Sequence, residues 1–225
     1  MRFVIIFLFL SFQFNGFSQT KTYTKKGDSD PKAKTILDKL KKSMDSYNSV
    51  EMRFTLTMEL PKQSPDVQKG VLIQSGKKFQ VKMDQQDVYC DGKSTWIYFK
   101  KNKQVQVNDF DESATGGFMS PKQILKMYET GNFVYAITEQ RKEKEATMAD
   151  IEFKPLDLNS DFTKMRLTVN TTKNKFVSLR VFSKDGSRYT LQLNSIEQNK
   201  KYDPSIFVFN AKAHPGVRVE DLRID

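Results

Sequence analysis

The sequence predicts a mainly β fold of the α+β class, in which one long antiparallel sheet of about eleven strands is accompanied by two helical segments. Apolar and polar residues alternate with a period of two along most of the chain, as in strands that bury one face. Short turn signals separate these runs, and the sharpest is Asp91-Gly92. A helical period appears near residues 40 and 125.

An apolar leader precedes the alternating region. Arg2 is followed by an apolar run over residues 3–10, and small residues stand just before position 19. This arrangement is typical of a secretory signal peptide. We therefore expect a signal peptide over residues 1–18, cleavage between Ser18 and Gln19, and a periplasmic protein. The run is shorter than the roughly 20 residues that a membrane-spanning helix needs, although a retained anchor is the alternative.

The rest of the chain suits one domain. Residues 19–29 are polar and are expected to be a disordered lead-in, with the folded domain over residues 30–225. Cys90 is the only cysteine, so no intramolecular disulfide can form. It lies in an apolar run far from the cleavage point, which predicts a buried, inert thiol and argues against a lipid-modified N-terminus.

The chain is basic, with 37 lysines and arginines against 27 acidic residues and a formal net charge of +10. Such a balance is compatible with nucleic acid, an acidic partner or an anionic membrane. The lysines cluster in predicted turns, at 100–103, 173–175 and 200–201, and do not form a stripe between stacking aromatic residues. We interpret them as solvated loop tips and expect no nucleic-acid partner.

The first helix is predicted to begin at Asp30 and Pro31. Asp30 can cap a helix, and proline fits the first helical turn. One apolar face then follows at helical spacing over about four turns, and it contains Ala33, Ile36, Leu37, Leu40, Met44 and Tyr47.

From Glu51 the period changes to two, with Met52, Phe54, Leu56, Met58 and Leu60 on one face. The remaining predicted strands follow as sequential antiparallel hairpins, and they contain residues 71–73, 79–83, 88–90, 95–99, 105–107, 133–137, 151–153, 165–169, 176–181 and 189–193.

A second helical segment interrupts the strands after residue 109. Ser120 and Gln123 have the spacing of a capping box, Pro121 suits the first turn, and Gly131 suits the end. Its apolar residues are Phe118, Met119, Ile124, Leu125 and Tyr128. Because a sheet with one apolar face needs a cover, the two helices are expected to supply it.

The segment from Val88 to Tyr98, with Asp91-Gly92-Lys93 followed by Trp96-Ile97-Tyr98, resembles a hairpin of the periplasmic outer-membrane lipoprotein carrier proteins, the LolA-like family. The resemblance spans nearly the whole chain after the leader. It rests on the order and spacing of further segments, which are Tyr47-Asn48-Ser49, Phe54, residues 70–79, residues 111–128, residues 183–186, residues 207–209 and residues 215–217.

The resemblance implies an incomplete antiparallel β-barrel with a helical lid over its concave face. It further implies a cavity that receives the acyl chains of lipoproteins from an inner-membrane ABC transporter and carries them to the outer membrane. The outer-membrane acceptor is not implied, and we expect a monomer. Where the family often has an Arg-Pro pair that holds the lid shut, this chain has Ser75-Gly76, so lid control of that kind is not implied.

The candidate lining residues of this cavity are apolar side chains on the predicted inner faces of the two helices and the sheet. A closed core would use the same side chains, and an error of one residue in register would turn a whole set outward. The candidates are Leu37, Leu40, Met44, Phe54, Leu56, Met58, Phe79, Val81, Met83, Phe118, Met119, Ile124, Leu125, Leu167, Val169, Leu179 and Val181.

The sequence does not favour an enzyme, and we expect no cofactor and no metal. His214, the only histidine, lies in a turn-like setting, which favours a loop or packing role over a general base. Asp157, Asn159 and Asp161 alternate like the start of a calcium loop, but Phe162 replaces the required glycine. We interpret this segment as a polar surface turn.

Two alternatives to a lipoprotein carrier remain on the same fold. One is a carrier of another lipid, such as a glycolipid or pigment precursor. The other is a regulatory module that senses lipoprotein, and such a module is expected to have a second domain, for which this chain has no room.

Overall fold

The computed structural model describes residue 25 and residues 27–110 and 125–223. These residues form helix α1 (Pro31–Asp45) and a single twelve-stranded sheet. The strands are β1 (Ser49–Glu59), β2 (Asp66–Ser75), β3 (Lys78–Met83), β4 (Gln86–Cys90), β5 (Ser94–Phe99), β6 (Gln104–Asp109), β7 (Phe133–Glu143), β8 (Ala146–Pro155), β9 (Phe162–Asn170), β10 (Lys175–Ser183), β11 (Arg188–Gln198) and β12 (Arg218–Asp221).

Helix α1 begins where the sequence predicts. The Asp30 side chain accepts a hydrogen bond from the backbone N–H of Lys32, and Pro31 occupies the first helical position. The helix buries one apolar face, formed by Ala33, Leu37, Leu40 and Met44.

The strands lie in the order β12-β6-β5-β4-β3-β2-β1-β11-β10-β9-β8-β7. All neighbours pair antiparallel except β12, which runs parallel to β6. The two ends of this order, β12 and β7, are the edges of the sheet, so it stays open. The predicted mainly β fold with an incomplete barrel is confirmed, with a twelfth strand in addition to the predicted eleven.

Two predicted tight turns contain a glycine with a positive φ angle. Gly92 has φ +91° and Gly186 has φ +88°, a region that residues with a Cβ rarely adopt. The Asp91 carboxylate accepts hydrogen bonds from the backbone N–H groups of Lys93 and Ser94 at 2.8 Å each. The Asp-Gly sequence is thus explained by turn geometry.

Bulges keep apolar side chains on one face of the long strands. The β1–β11 register shifts between Arg53 and Phe54, so that Met52 pairs with Ile196 while Phe54 pairs with Leu193. Without the extra residue in β11, Leu193 and Ile196 would point to opposite faces, because side chains alternate along a strand.

The two faces of the sheet carry separate cores. We call the face that α1 covers the concave face, and its core contains the buried side chains of α1 and of most strands. On the opposite, convex face, Tyr89, Tyr98 and Val105 pack with Phe209 of the C-terminal segment. The C-terminal segment therefore covers the far side of β4, β5 and β6.

The edge strand β7 is partly capped by the residues before α1. The backbone N–H of Asp30 donates to the carbonyl of Tyr135 at 2.9 Å, and the backbone N–H of Tyr135 donates to the Ser29 hydroxyl at 3.2 Å. Further along, β7 carries charged residues over 139–143, which discourage pairing with another strand. Within the described part of the chain, no helix has the length and apolar character to cross a membrane.

Candidate functional site

The concave face is the main apolar feature of the described residues. Most of the predicted lining residues lie in its core, and they are Leu37, Leu40, Met44, Phe54, Phe79, Val81, Met83, Leu125, Leu167, Val169 and Leu179. Leu56 and Val181 pack against this core and are half-buried. Met58, also half-buried, follows Leu56 by two positions in β1 and so shares its face. Phe118, Met119 and Ile124 lie outside the described residues.

Helix α1 crosses the concave face from one edge toward the middle of the sheet. Its first residue follows Asp30, which is hydrogen-bonded to β7. At its other end, Met44 and Tyr47 line a small, mostly apolar pocket together with Phe176, Leu193 and Ile196 of β10 and β11. The helix thus spans β7 to β11 and covers that part of the sheet most closely.

An apolar area that is only half-buried adjoins this core. Phe54 in β1 is 3% exposed, whereas Leu56 and Met58, further along the same strand, keep part of their surface accessible. Leu191 in β11 pairs with Leu56 and also with Leu179, and Val181 follows Leu179 on the same face of β10. Both Leu191 and Val181 are half-buried. Apolar surface of this kind, next to a packed core, can accept an apolar guest.

A glycine in β2 lets the Phe54 ring approach the backbone of the neighbouring strand closely. Gly70 pairs directly with Phe54, and a Cβ atom at Gly70 would fall within 3.0 Å of three atoms of that ring. Phe54 therefore occupies the space that a larger residue at position 70 would fill.

Residues 127–129, in the described part of the predicted second helical segment, contact α1 through two side chains. The Tyr128 hydroxyl donates a hydrogen bond to the Asp38 carboxylate at 2.9 Å, and Lys41 pairs with Glu129 at 3.1 Å. The Tyr128 ring also makes an edge-on contact with Tyr135 of β7 at 6.0 Å between ring centres. Residues 127–129 form one 3-10 turn, so this turn is tied to both α1 and the sheet.

Both partners in the Tyr128–Asp38 hydrogen bond have shifted pKa values. A hydrogen bond from Lys34 lowers the pKa of Asp38; burial opposes the shift, and the bond from Tyr128 adds to it. Burial, followed by the hydrogen bond to Asp38, raises the pKa of Tyr128. The contact is therefore formed by a neutral phenol and a charged carboxylate at neutral pH.

The Ser75-Gly76 pair ends β2 and enters the turn to β3. Gly76 has φ +60°, an angle that the proline ring forbids. The Arg-Pro pair associated with lid closure therefore could not replace these residues without reshaping the turn.

Several concave-face residues were not among the predicted lining residues. They are Ile36, Tyr47, Tyr128, Tyr135, Ile137, Ile151, Phe153, Met165, Phe176, Leu191, Leu193 and Ile196. Alternation in the predicted strands over 151–153 and 189–193 carried the signal for Ile151, Phe153, Leu191 and Leu193. The bulge that brings Ile196 to this face leaves no mark in the sequence.

The side chains considered for chemistry have packing or turn roles. His214 stacks on Phe209, with 4.9 Å between ring centres, and also contacts Tyr98, which confirms the packing interpretation. Cys90 is buried, and this burial raises the pKa of its thiol. Asp157 accepts a hydrogen bond from the backbone N–H of Asn159 in an exposed turn. Across residues 27–110 and 125–223, no group of three potential ligand side chains is placed to hold a metal ion.

One predicted loop-tip lysine has a structural role. Lys100 forms an ion pair with the buried carboxylate of Asp87 at 2.9 Å and donates to the backbone carbonyl of Met83. The interpretation as a solvated loop tip is therefore wrong for Lys100. The neighbouring Lys101 and Lys103 are exposed, as predicted.

Comparison with solved structures finds proteins that are similar to this chain. A conserved protein from Thermus thermophilus matches with a TM-score of 0.56 and 9% identity, over 86% of this chain and 99% of that chain. A LolA superfamily protein from Nitrosomonas europaea matches with a TM-score of 0.41 and 13% identity, over 79% of this chain and 97% of that chain. A putative outer membrane lipoprotein-sorting protein domain from Vibrio parahaemolyticus matches with a TM-score of 0.43 and 10% identity, over 80% of this chain and 96% of that chain.

Sequence comparison defines the family. Curated protein sequences give no significant match. The family model for the outer membrane lipoprotein carrier protein LolA matches residues 45–210, which extend from the end of α1 past β11 into the C-terminal segment. With this match covering most of its length, the chain belongs to the LolA family.

Proposed function

We propose that this protein is a periplasmic carrier that binds the acyl chains of lipoproteins against its concave face and shuttles them from the inner to the outer membrane. The partners in this proposal are acylated lipoproteins as cargo and an inner-membrane lipoprotein-releasing ABC transporter as donor. Export by the predicted signal peptide over residues 1–18 is part of the proposal.

The observation that carries the proposal is the half-buried apolar area beside the packed core. Leu56, Met58, Val181 and Leu191 lie on the concave face, and each keeps part of its surface accessible. They sit beyond Phe54 and Leu179, which are buried. An acyl chain placed here would extend the existing core next to Gln68 and Asp66 of β2, which pair with Leu56 and Met58 and are hydrogen-bonded to each other.

The energetics favour such a guest over water. Burying one methylene group contributes roughly 0.8 kcal/mol, so a sixteen-carbon chain gains on the order of 10 kcal/mol at most. For the protein to release the acyl chain, another interaction must offset part of this binding free energy. Cover elements that rest on the same apolar surface when no guest is bound would compete with the guest, and only the difference between the two states would appear as affinity.

The proposal is tested by binding of a synthetic triacylated lipopeptide to the purified protein, measured by displacement of a fluorescent fatty acid. Leu191→Glu places a charge on the concave face. Because an acyl chain cannot solvate that charge, we expect affinity to fall at least about tenfold. Gln192→Glu is the matched control, since it adds the same charge on the exposed convex side of the same strand, and its affinity should equal that of the wild type.

Equal loss in both variants, or no binding by the wild-type protein, would contradict the proposal. Circular dichroism and urea unfolding establish that each variant is folded, and Leu191→Gln provides a neutral substitute if the glutamate variant does not fold. Native mass spectrometry of protein purified from the periplasm then identifies the guest. Recovery of a glycolipid or another free lipid in place of acylated protein would favour a carrier of that lipid.

A further inference from the structure

Exposed aliphatic side chains gather at one end of the sheet. Three neighbouring loops lie there, over residues 60–65, 156–161 and 184–187, and we call them the rim. Leu158 is 88% exposed at the tip of the β8–β9 loop, and Leu60 is 37% exposed at the end of β1. Leu158 has the highest exposed fraction of the large apolar side chains in the described residues, and exposed apolar side chains are informative where they belong to one apolar surface.

The rim loops contact one another and form one surface. The Lys184 ammonium donates to the backbone carbonyl of Leu158 at 2.6 Å. A Cβ atom at Gly186 would lie 3.5 Å from the Pro61 ring, so the loop over 184–187 bridges the other two. This matches the order of the strands, in which the β1–β2, β10–β11 and β8–β9 pairs are successive.

The rim continues the apolar surface of the concave face. Along β1, Phe54 is buried, Leu56 and Met58 are half-buried, and Leu60 is exposed at the tip. Near the Leu158 loop, Phe133 and Phe162 stack with 6.0 Å between ring centres, and both are half-buried against the concave core. Along this face of β1, apolar positions therefore follow one another at every second residue from the core to Leu60, just after the strand.

Charge does not explain the rim. Its loops contain Lys62 and Lys184 against Asp157, Asp161 and Asp185, so they carry no excess of positive charge. Asp185 is engaged within its own turn, where it accepts hydrogen bonds from the backbone and hydroxyl of Ser187. Insertion of aliphatic side chains into a bilayer of zwitterionic lipid needs no such attraction.

We infer that the rim is a membrane-contact surface, where Leu158 and Leu60 insert into the acyl boundary of a phospholipid bilayer. In this position the apolar face of β1 leads from the bilayer to the concave face. The inference rests on the proposed carrier function, because the contact lets an acyl chain move between bilayer and protein with little exposure to water.

The test uses Leu158→Cys labelled with an environment-sensitive nitrobenzoxadiazole dye. Cys90 is buried with a raised pKa, so it reacts poorly and the label reports on position 158. With phosphatidylcholine vesicles we expect a blue shift and a rise in emission that persist in high salt. Labelled Leu222→Cys is the control, because Leu222 is 48% exposed beside the far end of β6, and its emission should not change.

Vesicle flotation provides the second measurement. Leu158→Glu should weaken binding to the same vesicles about tenfold, since a carboxylate resists entry into the acyl region, whereas Leu222→Glu should bind like the wild type. No response at position 158, an equal response at 222, or binding only to anionic vesicles would overturn the inference.

Lipopeptide binding without vesicles separates this inference from the proposed function. If wild-type protein binds lipopeptide but not vesicles, the membrane-contact surface is refuted and the carrier function stands. If it binds vesicles through Leu158 but takes no lipopeptide, the surface stands and the carrier function is refuted.

Discussion

Phe54 and Gly70 are in close contact near the centre of the sheet. The two residues pair across β1 and β2, and the aromatic ring occupies the space above the glycine. A side chain at position 70 would force the ring out of this position, because its Cβ would overlap three ring atoms. Glycine is therefore required here by a close approach and not by a turn.

We predict that Gly70→Ala lowers the free energy of unfolding by about 1–3 kcal/mol, because the Phe54 ring must move out of a packed position. The lower flexibility of the unfolded alanine chain would offset only about 0.4–1 kcal/mol of this. Urea unfolding followed by circular dichroism measures the change.

Phe54→Leu supplies the control for this prediction. In its background, Gly70→Ala should cost much less, since the smaller side chain leaves room for the new methyl group. If Gly70→Ala costs the same with either residue at position 54, steric contact with the ring is not the cause.

The burial or capping role of a residue was predictable from the sequence where it depends on a single helix or strand. The buried positions Leu37, Leu40 and Met44 follow from helical spacing alone, and Asp30 follows from cap chemistry. Gly70 was not predictable, because its role depends on the β1–β2 register, which places it against Phe54. The role of Lys100 depends in the same way on its partner Asp87 in another strand.

At the scale of elements, α1 and the 3-10 turn over 127–129 act as one cover. Tyr128 joins them through Asp38, and Lys41 adds an ion pair with Glu129. The ion pair lies on the surface and contributes little. The hydrogen bond to the Asp38 carboxylate is the stronger link because its acceptor is charged.

We predict that Tyr128→Phe lowers the free energy of unfolding by about 1 kcal/mol at pH 7. The folded pKa of Asp38 lies below its unfolded value, so the stabilisation is complete above the unfolded pKa and is lost as pH falls through the folded pKa. The difference between Tyr128→Phe and wild type should therefore shrink as the pH falls below the ordinary aspartate pKa of about 3.9.

Unfolding of both proteins at several pH values tests this. Asp38→Asn provides the control background, because without the titrating carboxyl Tyr128→Phe should have the same effect on stability at every pH in that range. A difference between Tyr128→Phe and wild type that stays constant down to pH 2 would contradict a role for the charged carboxylate.

Most elements could be predicted because their signals are local, as in the hairpins at Gly92 and Gly186 and the helix at Asp30. Strand β12 could not, since its four residues pair with β6 more than a hundred positions away. The convex core was also missed. Its signal was the uninterrupted apolar run in β4 and β5, which is typical of strands buried on both faces.

At the scale of the whole molecule, the two faces of the sheet differ in what covers them. The C-terminal segment holds the convex face, through the Tyr202 hydroxyl bonded to Glu51 and the Gln80 side chain bonded to the carbonyl of Ile206. These contacts stabilise β1 and β3 from outside. The concave face can therefore keep partly accessible apolar surface without depending on it for the integrity of the sheet.

The alternation of residues predicted that one face would be apolar, and the described candidate residues do lie on it. Alternation could not predict that Phe54 is buried while Leu56 and Met58, on the same face of β1, remain half-buried. That division between core and accessible surface depends on packing between distant elements, and the account of function rests on it.

Photo-crosslinking of a lipopeptide whose acyl chain carries a diazirine tests the central claim most directly. We predict that mass spectrometry will place the crosslinks on concave-face residues of β1, β10 and β11, with Leu56, Met58, Val181 and Leu191 prominent among them. Crosslinks that map to the convex face around Phe209, or that are spread evenly over the surface, would contradict the claim that the concave face holds the acyl chain.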